Sequence, residues 1–271
     1  ARPEKEQISN QEYLKMFIEA KQIEGCSART LQYYQVTIEH LLKNIDTVIR
    51  KITTDEIRTY LAEYQQRNNC SKVTVDNVRR NISSFFSWLE EEDYILKSPM
   101  RRIHKIKTKQ PVKEIISDEM IERLRDNCRC SRDLAMIDLL YSTGIRVGEL
   151  VGLNISDIDF EERECVVYGK GDKERRVYFD AKAKLHLQNY INSRTDTNPA
   201  LFVTLDSPYE RLKISGVEIR VRELGRKLNI EKIHPHKFRR TLATMAIDKG
   251  MPIEQLVKQS NVKLAHKKYI G

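Results

Sequence analysis

The chain has 271 residues, 32% charged and 40% hydrophobic, and its 48 lysines and arginines exceed 39 aspartates and glutamates by nine. These proportions exclude a disordered chain, and no apolar run reaches the roughly 18 residues that a membrane-crossing helix needs. At ~150 residues per domain, the length fits two domains.

The start, ARPEKEQISNQEY, is too polar for a signal peptide, and the cysteine usage fits a reducing compartment, so a cytoplasmic protein that does not span a membrane is expected. Five cysteines (Cys26, Cys70, Cys128, Cys130, Cys165) are scattered and odd in number. Cys128 and Cys130 are too close for the usual zinc pair, and no second pair exists, so neither a disulfide framework nor a metal site is expected. The basic excess leaves nucleic acid, anionic lipid and simple solubility open as its cause.

In chain order, Asn10 is the expected N-cap of a first helix, whose Tyr13, Met16, Phe17 and Ile18 fall on a helical period and which Gly25 stops. Ser27 caps a second, over 27–44, with Leu31, Tyr34, Ile38, Leu41 and Leu42 on one face. Thr53-Thr54-Asp55-Glu56 starts a third, with Ile57, Tyr60, Leu61 and Tyr64 inward. Ser71 opens a fourth, over 71–92, with the stripe Val75, Val78, Ile82, Phe85, Phe86 and Leu89 and the only tryptophan, Trp88, near its end. Residues 1–96 are thus expected to form a compact helical bundle.

Residues 97–113, KSPMRRIHKIKTKQPVK, hold seven lysines and arginines, two prolines and no acid. They read as an extended basic linker, either solvated or tracking a phosphate backbone. A second domain over 114–271 opens on a helix capped by Ser117 and a helix from about 132 to 142. ECVVYGKGDKERRVYF then reads as a hairpin, and the remainder as mainly helical. The expected class is mainly α with a small β-hairpin or sheet.

Three clusters in the second domain could carry chemistry. In TGIRVGEL, Gly144 breaks one helix and Arg146 opens another, where a cation opposes the helix dipole. Arg146 therefore needs either an anionic ligand or an acid such as Glu149. Gly169-Lys170-Gly171 is either an ordinary turn or a tip that presents a lysine to phosphate; the nucleotide-triphosphate motif GxxxxGK[ST] is absent. In HPHKFRRT, a helix starting near His236 puts His236 and Arg239 one turn apart, as a phosphate pair or as a cap with surface arginines. Two arginines, a lysine and a histidine suit a phosphodiester, because arginine grips phosphate oxygens in a fork and stays charged.

The ordered set TGIRVGEL, VVYGKGDKERRV and HPHKFRRTLATMAIDKG resembles the tyrosine recombinases, the phage-integrase family, most in the style of conjugative-transposon integrases. Lys170 follows Arg146 by 24 residues, and His236 to Arg239 matches the family's HxxR. SARTLQYY and KVTVDNVRRNISSFFSWL resemble that family's helical core-binding domain, so the likeness runs from about residue 8 to 255. It implies such a domain joined to a mixed α/β catalytic domain. It also implies site-specific cleavage and rejoining of DNA strands without a cofactor or metal, through a 3′-phosphotyrosyl intermediate, for integration and excision of a mobile element. Arg146 and Arg239 would clamp the non-bridging oxygens, Lys170 would protonate the leaving 5′-oxygen and His236 would assist proton transfer. Arg240 stands where many relatives have histidine.

The family's Gly-His and nucleophilic tyrosine have no clear match. Asn261 and Val262 stand at the Gly-His position, and Tyr269, thirty residues past Arg239, sits in flanks that do not fit. A segment holding the nucleophile is expected to be missing from the sequence, and no upstream arm-binding domain is seen. The partner is expected to be double-stranded DNA, clamped by the two domains. Base readout would come from Lys72, Thr74, Asn77, Arg80 and Arg29, and phosphate contacts from Arg101, Arg102, Lys105 and Lys107 of the linker. Assembly from dimer to tetramer on DNA would use the C-terminal tail. A DNA-binding regulator without chemistry and a type IB topoisomerase are the alternatives.

Overall fold

Serine and threonine caps punctuate the first of the two units, Ala1–Val112 and Lys113–Gly271, into which the computed structural model divides the chain. The structure describes residues 8–108, 114–169, 174–230 and 232–252. In the first unit, α1 (Asn10–Ile23), α2 (Ala28–Asn44), α3 (Thr54–Arg67) and α4 (Lys72–Glu91) are capped by Ser9, Ser27, Thr53 and Ser71. Each cap hydroxyl accepts the N–H three residues on, a bond that contributes about 1 kcal/mol.

Asn10 is not the cap of α1. Ser9 takes that place because Glu12 completes a reciprocal box with it. The Asn10 amide is left to pin the loop after α2, donating to the Thr47 carbonyl at 3.0 Å and accepting from the Ile49 N–H at 2.9 Å. The apolar stripe of α4 is buried throughout. Phe17 of α1 meets Phe85 edge to face at 5.2 Å, a geometry that adds about 0.5–1.5 kcal/mol to area burial.

Residues 97–106 correct the extended-linker reading. Pro99–Arg102 is a 3-10 turn capped by Ser98, and Met100 is buried in the helical core. Ile103 and Ile106 pack against the same core, and the Ile106 N–H donates to buried Asp76 of α4 at 3.0 Å. Met100, Ile103 and Ile106 recur every third residue, a period that the intervening basic residues hide. Arg101, Arg102, Lys105 and Lys107 stay exposed on this anchored segment.

The second unit is built around α6 (Ser131–Thr143), whose Ala135, Met136, Ile137, Leu139 and Leu140 are all fully buried. Around it stand α5 (Asp118–Asp126), α7 (Val147–Gly152), α8 (Ala181–Asn192), α9 (Ile214–Lys227) and α10 (Pro235–Asp248). An antiparallel sheet in the order β1 (Ile158–Asp159), β2 (Glu164–Tyr168), β3 (Glu174–Tyr178) lies between α7 and α8 in sequence. Its register pairs Cys165 with Val177 and Val167 with Arg175, which fixes the face on which each lies. The chain is thus mainly helical with a small antiparallel sheet. Among the described residues no helix is long and apolar enough to cross a membrane, and all five cysteines are free thiols.

Candidate active site

The break between α6 and α7 places the first arginine. Gly144 closes α6 in the left-handed region at φ +59°, and a Cβ there would come within 2.9 Å of a Leu242 methyl and 3.5 Å of the Arg239 Cα. Only glycine satisfies both demands. Two residues later Arg146 is the N-cap residue of α7, and its N–H donates to Glu149 at 2.8 Å. Its Nη1 donates to the other Glu149 oxygen at 2.8 Å, while the side chain remains 42% exposed. The far end of α7 is also held, by Arg211 donating to the Val151 and Leu153 carbonyls at 2.8 and 2.9 Å.

Glu149 has a second partner that the sequence reading missed. Arg175 of β3 donates from both terminal nitrogens to both carboxylate oxygens, at 2.9 and 2.8 Å. Burial draws the Glu149 carboxyl pKa upward, but the bonds from Arg175 and then Arg146 outweigh it and leave the group below its ordinary value. The missed signal was periodic. In ERRVY, Arg175 stands two residues before buried Val177, so strand alternation turns a charge onto the inward face.

Arg239 comes from α10. Pro235 occupies the first turn, His234 is the N-cap residue, and the helix carries Phe238, Arg239 and Thr241 into the core. Arg239 is only 4% exposed, and its Nη1 donates to the Gly144 carbonyl at 2.5 Å. Burial, then neighbouring Arg146, draw its pKa down to about 10, with Arg175 acting the same way and Glu149 opposing. Its Nη2 and the Arg175 Nε are buried without a hydrogen-bond partner among the described residues. An orphaned buried donor costs about 1–3 kcal/mol. Among the described residues, Arg146 and Arg175 share one carboxylate while Arg239 beside them has none, and the surplus charge suits a phosphodiester.

Arg146 pairs with Glu149, the acid that the sequence offers for it, yet one carboxylate cannot neutralise the group around it. His236, one turn before Arg239, is exposed, and its ring stacks on His234 at 6.4 Å. It is the second helical residue and not the cap, and Arg239 is not on the surface. Arg240 is half-buried and donates to the Glu114 carbonyl at 2.6 Å. Lys170 and the tail with Tyr269 lie outside the described residues.

In the first unit, Arg29, Lys72 and Arg80 are exposed, and Thr74 and Asn77 half-buried. Arg80 donates to Asn77 at 2.6 Å and pairs with Asp76 at 3.3 Å, while Thr74 bonds the Ser71 cap at 3.0 Å. Arg101 pairs with Glu90.

The model of the phage integrase family matches residues 113–267, and that of the phage integrase N-terminal SAM-like domain matches 13–96. The tyrosine recombinase XerC of Thermodesulfovibrio yellowstonii is 31% identical over 239 residues, covering 83% of this chain and 79% of that protein. XerC of Oceanobacillus iheyensis is 29% identical over 264 residues, covering 90% and 85%. Among solved structures, the Tn1549 transposon integrase in complex with a circular intermediate DNA shares the fold, with a TM-score of 0.76 at 17% identity over 93% of this chain and 91% of that one.

Proposed function

The chain belongs to the phage integrase family, and on that premise we propose that Arg146, Lys170, His236 and Arg239 serve its strand cleavage and rejoining. It is a site-specific tyrosine recombinase. A tyrosine hydroxyl oxygen bonds to the scissile phosphorus and gives up its proton. The phosphorus–oxygen bond to the 5′ side breaks, and that oxygen leaves protonated. The 3′-phosphotyrosyl link conserves the bond energy, so that a 5′-hydroxyl attacking in reverse reseals the strand.

Arg146 and Arg239 grip the two non-bridging oxygens and stabilise the extra charge of the five-coordinate transition state. Lys170 protonates the leaving 5′-oxygen, and His236 helps move the proton at the nucleophile. The observation that carries this reading is the buried Arg239, beside Arg146 and Arg175, with an Nη2 that lacks a partner among the described residues.

Double-stranded DNA is the substrate. Lys72, Thr74, Asn77, Arg80 and Arg29 read bases, and Arg101, Arg102, Lys105 and Lys107 hold phosphates. The protein works in the cytoplasm, as a dimer to tetramer joined through the C-terminal tail, and integrates and excises a mobile element. The basic excess and the exposed basic segment support DNA as partner.

The test uses duplexes selected for binding from a random pool and nicked beside candidate scissile positions. The expected product is a covalent protein–DNA adduct through a 3′-phosphotyrosine, formed equally with and without chelator, and recombinants between two copies of the site. Binding without an adduct, by a protein that carries the nucleophile segment, would leave only a regulator. Relaxation of plain supercoiled plasmid as readily as of one carrying the site would indicate a topoisomerase.

A further inference from the structure

Arg175 lies on the inward face of β3, with its side chain 12% exposed and both terminal nitrogens on Glu149, itself 4% exposed. Among the described residues, Glu149 is the one carboxylate bonded to Arg146, and it acts on Arg239 as well. A lone buried carboxylate beside two phosphate-binding arginines would neutralise the charge they need. Here both its oxygens are engaged by a third arginine, whose fork matches them in a plane.

We propose that Arg175 is a positioning residue for strand cleavage: it holds Glu149 as its own counter-ion, so that Glu149 orients Arg146 through the α7 N-terminus without quenching Arg146 and Arg239. The proposal rests on the assignment of those two arginines to the phosphate. It gives Arg175 no contact with DNA. The same ion pair ties β3 to α7, so the hairpin and the arginine helix keep a common frame.

The consequence is specific. Without Arg175, the carboxylate turns its whole charge on Arg146 and Arg239, and cleavage slows. Making the carboxylate neutral should then restore the rate, because glutamine keeps an accepting oxygen for the Arg146 N–H and lacks the charge.

The experiment measures single-turnover cleavage of a nicked site duplex at saturating protein, with DNA affinity measured separately, in the full-length protein with its nucleophile segment. Arg175→Gln is expected to slow cleavage about 10- to 100-fold, the scale of a misplaced or quenched catalytic group, with affinity changed less than about threefold. Arg175→Gln/Glu149→Gln is expected to recover at least half of that loss on a logarithmic scale. A wild-type rate in Arg175→Gln would overturn the proposal. So would a double variant as slow as the single one, which would mean that Arg175 acts directly on phosphate or only on folding. If Arg175→Gln does not fold, Arg175→Lys and Arg175→Lys/Glu149→Gln are read the same way, since lysine holds only one oxygen. Arg146→Ala and Arg239→Ala run alongside. If these cleave normally, the assignment of the phosphate clamp fails, whatever the Arg175 variants do.

Discussion

The second unit holds two sets of arginines around buried carboxylates, and they are built on opposite plans. Arg132 and Arg220 share fully buried Asp133, Arg220 also holds Glu223, and Arg132 donates to the Val203 carbonyl. Charges balance there, and among the described residues no buried nitrogen of the set is left without a partner. Burial pulls the Arg220 pKa down, but Asp133 outweighs it and the result lies above the ordinary value. Around Arg239 the balance fails among the described residues: Arg146 and Arg175 pair with Glu149, Arg239 lies beside them without an ion pair, two nitrogens are orphaned, and Arg239 falls to about 10. The balanced set holds the fold together. On the proposed reading, the unbalanced one stores a need for an anion, as expected where local stability is given up to a site.

The largest test of this contrast is on the balanced side. Asp133→Asn takes the ion pair from buried Arg132 and half-buried Arg220 and should destabilise the second unit by about 3–5 kcal/mol in denaturant unfolding, while the cleavage rate per folded molecule stays near wild type. Wild-type stability would remove the structural role given to this set.

Gly144→Ala probes how the unbalanced set is held. The left-handed backbone and the close Leu242 methyl predict a loss of roughly 1–2 kcal/mol. The Arg239 support moves with it, so cleavage should fall further than stability alone accounts for. A variant that unfolds earlier but cleaves normally when folded would show that the Gly144 carbonyl does not position Arg239.

A smaller effect concerns acid. Because the folded Glu149 carboxyl lies below its unfolded value, it contributes stability above the usual carboxylate range and loses it as pH falls through the depressed value. The unfolding midpoints of wild type and Glu149→Gln should therefore converge as pH falls below that range. A constant gap between them would contradict the ion-pair account.

The smallest expected effect is in the first unit, whose basic surface is simply exposed. Neutralising Lys105 and Lys107 should flatten the salt dependence of DNA binding by up to ~0.9 for each phosphate that the protein ceases to neutralise. An unchanged slope would take the segment off the backbone.

What could be read from the sequence follows the same divide. Caps and apolar stripes are local, so Ser27, Ser71 and the α4 stripe announce themselves, as do Gly144 and the inventory of Arg146 and Arg239. Asn10 misled because a competing cap stood one residue before it. The anchored segment was hidden because Met100, Ile103 and Ile106 are spaced too sparsely among charges to suggest a helix. Arg175 needed strand alternation applied to a charged residue. The pairing of Asp133 with Arg220 spans 87 residues of sequence, and no local pattern reports it.

The most direct measurement is the unfolding midpoint and the single-turnover cleavage rate of Arg239→Met, taken side by side. An arginine kept for phosphate and not for the fold should give a midpoint equal to or above wild type, with cleavage reduced by a factor of roughly 100 or more. A clear loss of stability with cleavage unchanged per folded molecule would contradict the account.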